Sequence, residues 1–232
     1  MFFCLPVKVG QDRHNKTIPI VNLVIIGVNL FMFGLTRGAG TRAGNIVFGV
    51  LGYAFVHASF LHLLGNMWVL WVFGNKVNRR LGHFWYAFVY LGSVIAIGIL
   101  LRLLLRVNIV GASGGVFAVI AICLILMPAA LIDLLCVALV PLSLLVGLFA
   151  RPRHWLYWFI RWGRFKVKAL WGLFIVPALE IWALLWWGWN WTGLGHLLGL
   201  VCGVGAVLIL PERISMNRTL DTTQLSYEFH FD

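Results

Sequence analysis

The chain has 232 residues, 62% of them apolar and only 11% charged, with a mean hydropathy of +0.95. That balance excludes an ordinary soluble domain and describes a polytopic helical membrane protein. The formal net charge is +11, but the basic residues sit between apolar stretches. They therefore read as markers of loop orientation, and no nucleic-acid partner is expected.

Residues 1–17 hold Lys8, Arg13 and Lys16 and no apolar core. They are expected to form a cytoplasmic N-terminal segment, with no cleavable signal peptide. Apolar stretches of about spanning length then predict crossings at 18–35, 57–74, 84–101, 113–127, 169–189 and 193–210. The expected fold class is an all-α membrane protein. It is a six-transmembrane-helix bundle over 18–210 with an interfacial or re-entrant insertion at 129–168, followed by a cytoplasmic tail at 211–232. With the N-terminus inside, only Arg37, Arg42, Arg102 and Arg106 of the 18 Lys and Arg residues fall in outside loops. Such a bias is what membrane insertion produces, and the expectation is a multi-pass protein of the cell membrane with a cytoplasmic N-terminus.

Residues 129–149 are apolar but are interrupted by Asp133 and Pro141. A seventh span there is the alternative; it would carry the basic run 151–168 outward and set Ser113 and His196 at opposite faces. An interfacial path is therefore expected, with Trp155 to Arg164 along the inner surface. Cys123, Cys136 and Cys202 lie in apolar stretches, and their spacing suggests neither a disulfide nor a zinc site.

Polar residues collect at the heads of three apolar stretches, where they are costly and usually functional. Gly111-Ala112-Ser113-Gly114-Gly115 heads the fourth, His62 and Asn66 the second, and Gly195-His196 the sixth. With six crossings, all three heads face outward. A serine hydroxyl needs a base to take its proton, and histidine is the usual one. His62 and Asn66, four residues apart on one helical face, both donate hydrogen bonds. His57 points elsewhere and suits a structural role. Gly199 and Gly203 share the His196 face and allow close helix approach. Phe117, four residues after Ser113, is placed to stack on the His196 ring. The fourth stretch rises only about 22 Å against a core of about 30 Å, which sets Ser113 about 8 Å below the outer surface. Glu180, mid-span, is the alternative third member of a triad orienting His196, but it reads as too deep and hence as a structural acid, so a Ser–His dyad is expected. No metal cluster or cofactor motif is found.

Together these residues resemble the rhomboid intramembrane serine proteases. The resemblance rests on His57-Ala58-Ser59-Phe60-Leu61-His62-Leu63-Leu64-Gly65-Asn66 as HxxxxHxxxN, on Gly111-Ala112-Ser113-Gly114 as GxSG, and on Gly195-His196 followed by Gly199 and Gly203. It implies Ser113 as nucleophile and His196 as general base. It also implies His62, Asn66 and the Ser113 N–H as oxyanion donors, and His57 as support. The implied partners are the lipid bilayer and transmembrane protein substrates, with no metal or cofactor. The alternative is a non-catalytic rhomboid-like binder or chaperone of transmembrane helices. The chain departs from the family pattern in its first outer loop, about 36–56, which lacks the usual Trp-Arg pair, and in the long insertion 129–168.

Overall fold

Helices occupy each of the six apolar stretches in the computed structural model, which describes residues 2–10, 17–36, 49–107, 109–139, 160–186 and 188–210. Most of the first expected outer loop, the middle of the insertion and the tail from Pro211 lie outside the described residues, as do Arg13 and Lys16.

A strand, β1 (Phe2–Val9), precedes helix α1 (Ile20–Leu35). A short helix α2 (Gly49–Gly52) and a 3₁₀ turn (Tyr53–Phe55) lead to a long rod. The rod consists of α3 (Phe60–Val69), a widened π turn (Leu70–Gly74) and α4 (Asn75–Leu81). Helix α5 (His83–Gly98) continues through a second π turn (Ile99–Leu104), and α6 (Ser113–Leu126) follows. Strands β2 (Leu131–Leu139) and β3 (Ile160–Lys168) come next, then α7 (Ala169–Trp186) and α8 (Trp191–Ile209). Among the described residues, three helical segments are long and apolar enough to cross a membrane: His83–Leu104, Ala169–Trp186 and Trp191–Ile209. Ile20–Leu35 and Ser113–Leu126 are apolar but shorter.

The core is built around α6, which is buried along almost its whole length, from Ser113 to Leu126. Helix α7 is the opposite: of its residues only Ala169 is buried, and Leu185 and Trp186 are largely exposed. Apolar side chains exposed on this scale fit lipid as the surrounding medium.

The expectation of an all-α chain is corrected by a three-stranded antiparallel sheet in the order β1-β2-β3. It occupies the described ends of the insertion, where an interfacial or re-entrant segment was expected. Leu131–Leu139 is a short continuous apolar run, and such a run carries no period that separates strand from helix. Its partner is the first strand, far away in sequence, with a register irregularity between Pro6 and Lys8. Pro6 has no N–H to give the ladder. The same pairing corrects the reading of the cysteines: Cys4 stands opposite Cys136, and the two form a disulfide. Strand β1 lies along the rod. The Trp68 indole N–H donates to the Pro6 carbonyl at 2.7 Å, and the Lys76 ammonium donates to the Gly10 carbonyl.

A buried polar network ties α1 to the rod. Asn22 Nδ2 donates to the Leu70 carbonyl at 2.9 Å and to Asn75 Oδ1 at 2.8 Å. Its Oδ1 accepts from the Tyr86 hydroxyl at 2.5 Å, and its backbone N–H donates to Asn78 Oδ1 at 3.2 Å. Gly74 makes this possible, because a Cβ there would overlap the Asn22 amide and the Tyr86 hydroxyl. Asn22→Leu strands several buried partners at once. It is expected to destabilise the fold by about 2–3 kcal/mol, since each orphaned buried polar group costs about 1–3 kcal/mol. Equilibrium denaturation of the full chain in detergent checks this; an unchanged midpoint would refute it.

Candidate active site

Ser113 is the first residue of α6, with Ala112 as its N-cap and no side chain capping the helix. The turn before it depends on Gly111, whose φ of +111° is open to glycine and strained for other residues. A Cβ at Gly111 would also stand 2.6 Å from His62 Cε1. Two further bonds hold the turn: Gly111 N–H donates to the Tyr53 carbonyl at 2.8 Å, and Ala112 N–H donates to His57 Nε2 at 3.4 Å. The Ser113 side chain therefore heads a helix whose free N–H groups and dipole favour negative charge. It is 9% exposed, and a crevice lined by Tyr53, Gly111, Ser113, Trp191, Thr192 and Gly195 opens beside it.

Helix α3 starts cleanly because Ser59, in an extended conformation, accepts the His62 N–H at 3.2 Å. That start aims both His62 and Asn66 at the Gly111 turn: a Cβ on Gly111 would lie 3.6 Å from Asn66 Nδ2. Asn66 is buried, and its Nδ2 has no hydrogen-bond partner among the described residues. His57 does not point away from His62, as expected from the sequence. Their rings meet edge to face with centroids 5.2 Å apart, because His57 lies in the bend ahead of the helix rather than on it.

Helix α8 begins with Asn190 as its cap, its side chain accepting the Gly193 N–H at 2.7 Å. Glycines then bring α8 against α6 backbone to backbone. A Cβ on Gly199 would overlap the Gly114 carbonyl, and one on Gly203 would overlap the Ala118 carbonyl. Gly195 faces the same start of α6, its carbonyl oxygen 3.6 Å from where a Gly114 Cβ would be. Contacts that advance together along both helices mean that α6 and α8 run parallel. Ser113 and His196 are thus at the same end of the bundle. The His196 ring lies flat on Phe117, with centroids 4.2 Å apart and planes 6° apart.

The reading of Glu180 as too deep is corrected. Its Oε2 lies 3.1 Å from His196 Nδ1, an ion-pair distance, although the ring N–H is not aligned on it as a hydrogen bond. The physical reason is where the helices end. Glu180 is six residues below the last residue of α7, and His196 is five residues below the first of α8, at the same end. At about 1.5 Å per residue these are rises of about 9 and 8 Å, so antiparallel neighbours bring the two side chains level. Tyr53, another residue absent from the sequence reading, closes the far wall of the crevice and donates its hydroxyl to the Val94 carbonyl at 2.9 Å. Among the described residues, no three His, Cys, Asp or Glu side chains cluster as a metal site would.

Long apolar helices around a buried polar cluster define a mostly helical membrane protein. Residues 44–151 match the family model of the Rhomboid domain, which supports assigning the chain to the rhomboid family. The matched region includes His57, His62, Asn66 and Ser113 and stops short of Glu180 and His196. No curated protein matches the chain.

Proposed function

We propose that this chain is an intramembrane serine endopeptidase that cleaves transmembrane segments of other membrane proteins near the outer face. Rhomboid-family proteins are usually intramembrane serine proteases, and the family assignment supports the reading. The observation that carries it is the parallel, glycine-mediated packing of α6 on α8, with Ser113 and the Phe117-stacked His196 at one end.

Ser113 Oγ attacks the scissile carbonyl carbon while His196 Nε2 takes the hydroxyl proton. The tetrahedral intermediate collapses as the C–N bond breaks, and His196 returns that proton to the leaving amine. Water then attacks the acyl ester, giving its proton to His196, and Ser113 Oγ leaves with that proton restored. Asn66 Nδ2, His62 and the Ser113 N–H are the oxyanion donors. Asn66 suits this role because its buried amide is free to meet an incoming oxygen. His57 supports the Gly111 turn, and Gly199 and Gly203 set the α6–α8 separation. The fold works within a multi-pass bundle whose N-terminus is cytoplasmic.

The deciding experiment reconstitutes the full chain with a transmembrane reporter and follows the appearance of cleaved product. A reporter bound but never cleaved would favour the second reading, a non-catalytic binder of transmembrane helices, which the same grooved bundle could support. Asn66→Ala is expected to lower kcat by about 100-fold with little change in KM, the usual effect of losing one oxyanion donor. Unchanged turnover would remove Asn66 from the site.

A further inference from the structure

The mechanism above needs His196 to present a bare Nε2 to Ser113, and Phe117 alone does not ensure this. A flat stack fixes the plane of the ring but leaves it free to turn within that plane. It is also indifferent to which nitrogen carries the proton. The Glu180 carboxylate supplies what is missing. It approaches the other ring nitrogen, Nδ1, to 3.1 Å, and it comes from α7, a helix that contributes nothing else charged to the site. The side chains are 19% and 20% exposed, shielded enough for the contact to matter. Nδ1 is itself buried and has no hydrogen-bond partner among the described residues. A small in-plane turn of the ring would align its N–H on the carboxylate.

We propose that Glu180 is a positioning residue for His196: its carboxylate accepts the Nδ1 proton, fixes the tautomer and leaves Nε2 free toward Ser113. The site is then a Ser–His–Glu triad rather than a dyad, and this inference rests on the protease reading above. When Nε2 takes the Ser113 proton, the positive ring lies beside a carboxylate, which offsets the charge until the proton passes to the leaving amine. Glu180 gains no proton at any step. A purely structural acid would behave differently. A lone carboxyl among lipid-facing apolar residues is costly, so its replacement by leucine would be harmless or stabilising.

Two measurements test this on the full-length protein in micelles. The first is the ¹⁵N spectrum of histidine-labelled protein, with the His196 signals assigned by their loss in His196→Ala. The wild type is expected to carry its proton on Nδ1, and Glu180→Leu to move it largely to Nε2. The second is reporter cleavage. Glu180→Leu is expected to lower kcat by about 100-fold, with KM within about twofold, because a misplaced tautomer disables the base. Glu180→Asp, which keeps the charge, is expected to recover most of that loss. An unchanged tautomer in Glu180→Leu would overturn the proposal, as would wild-type kcat in that variant. If the tautomer moves while wild-type protein cleaves nothing, the pairing stands and the protease reading fails.

Discussion

Replacing Ser113 by alanine is expected to abolish labelling by a fluorophosphonate probe and to lower reporter cleavage by at least about 10⁴-fold, because the nucleophile is the one part a covalent mechanism cannot replace. The substitution removes a single oxygen from a side chain that is already small and 9% exposed. The Gly111 turn is held by backbone and His57 contacts that do not involve the hydroxyl, so folding should be unaffected. A matching melting temperature in the two proteins separates lost chemistry from lost structure. His196→Ala should give a comparable loss of cleavage. Probe labelling that survives Ser113→Ala would show that a different nucleophile was labelled. Equal reporter disappearance in wild type and variant would point to degradation by something other than this chain.

Gly199→Val is expected to cost about 3 kcal/mol of stability and to lower cleavage by about 100-fold or more. The Cβ would overlap the Gly114 carbonyl and press on Phe117 Cβ at 3.0 Å. The clash is with backbone, which cannot swing aside as the end of a flexible side chain can, and forced overpacking costs about 1–3 kcal/mol or more. The only relief is to separate α8 from α6, which would draw His196 away from Ser113 and off Phe117. Function should therefore fail more sharply than folding. Thermal unfolding and kcat, measured on the same preparation, check both effects. A variant with normal turnover would mean that the close approach does not set the Ser113–His196 geometry. Gly205, on the same helix, has open space around its Cβ position and provides a control that should tolerate alanine.

Much of this arrangement was readable from residue order. Six apolar stretches long enough to be helices became helices, because length and hydropathy dominate where the surroundings are lipid. Ser113, His62, Asn66 and His196 stood out because a polar group in an apolar stretch needs a reason. The glycines at 199 and 203 fell on the His196 face by simple periodicity. Three things were not readable. The sheet joins Phe2–Val9 to Leu131–Leu139, and no local pattern announces a partner so far along the chain. Asn22 announces a buried polar group but not the Asn75, Asn78 and Tyr86 that satisfy it. Glu180 was misjudged because depth was counted within its own stretch. Its level relative to His196 depends on where α7 stops and α8 starts, which the apolar run does not mark.

The strand order also dictates a sequence of assembly. Strand β1 is the earliest part of the described chain, yet its hydrogen-bonding neighbour is separated from it by 132 positions at Cys4 and Cys136. During synthesis, α1, the rod, α5 and α6 all emerge before β2 exists. Contacts this remote form late, because the loop must be closed before pairing gives any return. Strand β1 must therefore wait, unpaired, until the helices between it and β2 have been made, and the sheet closes over helices that are already in place.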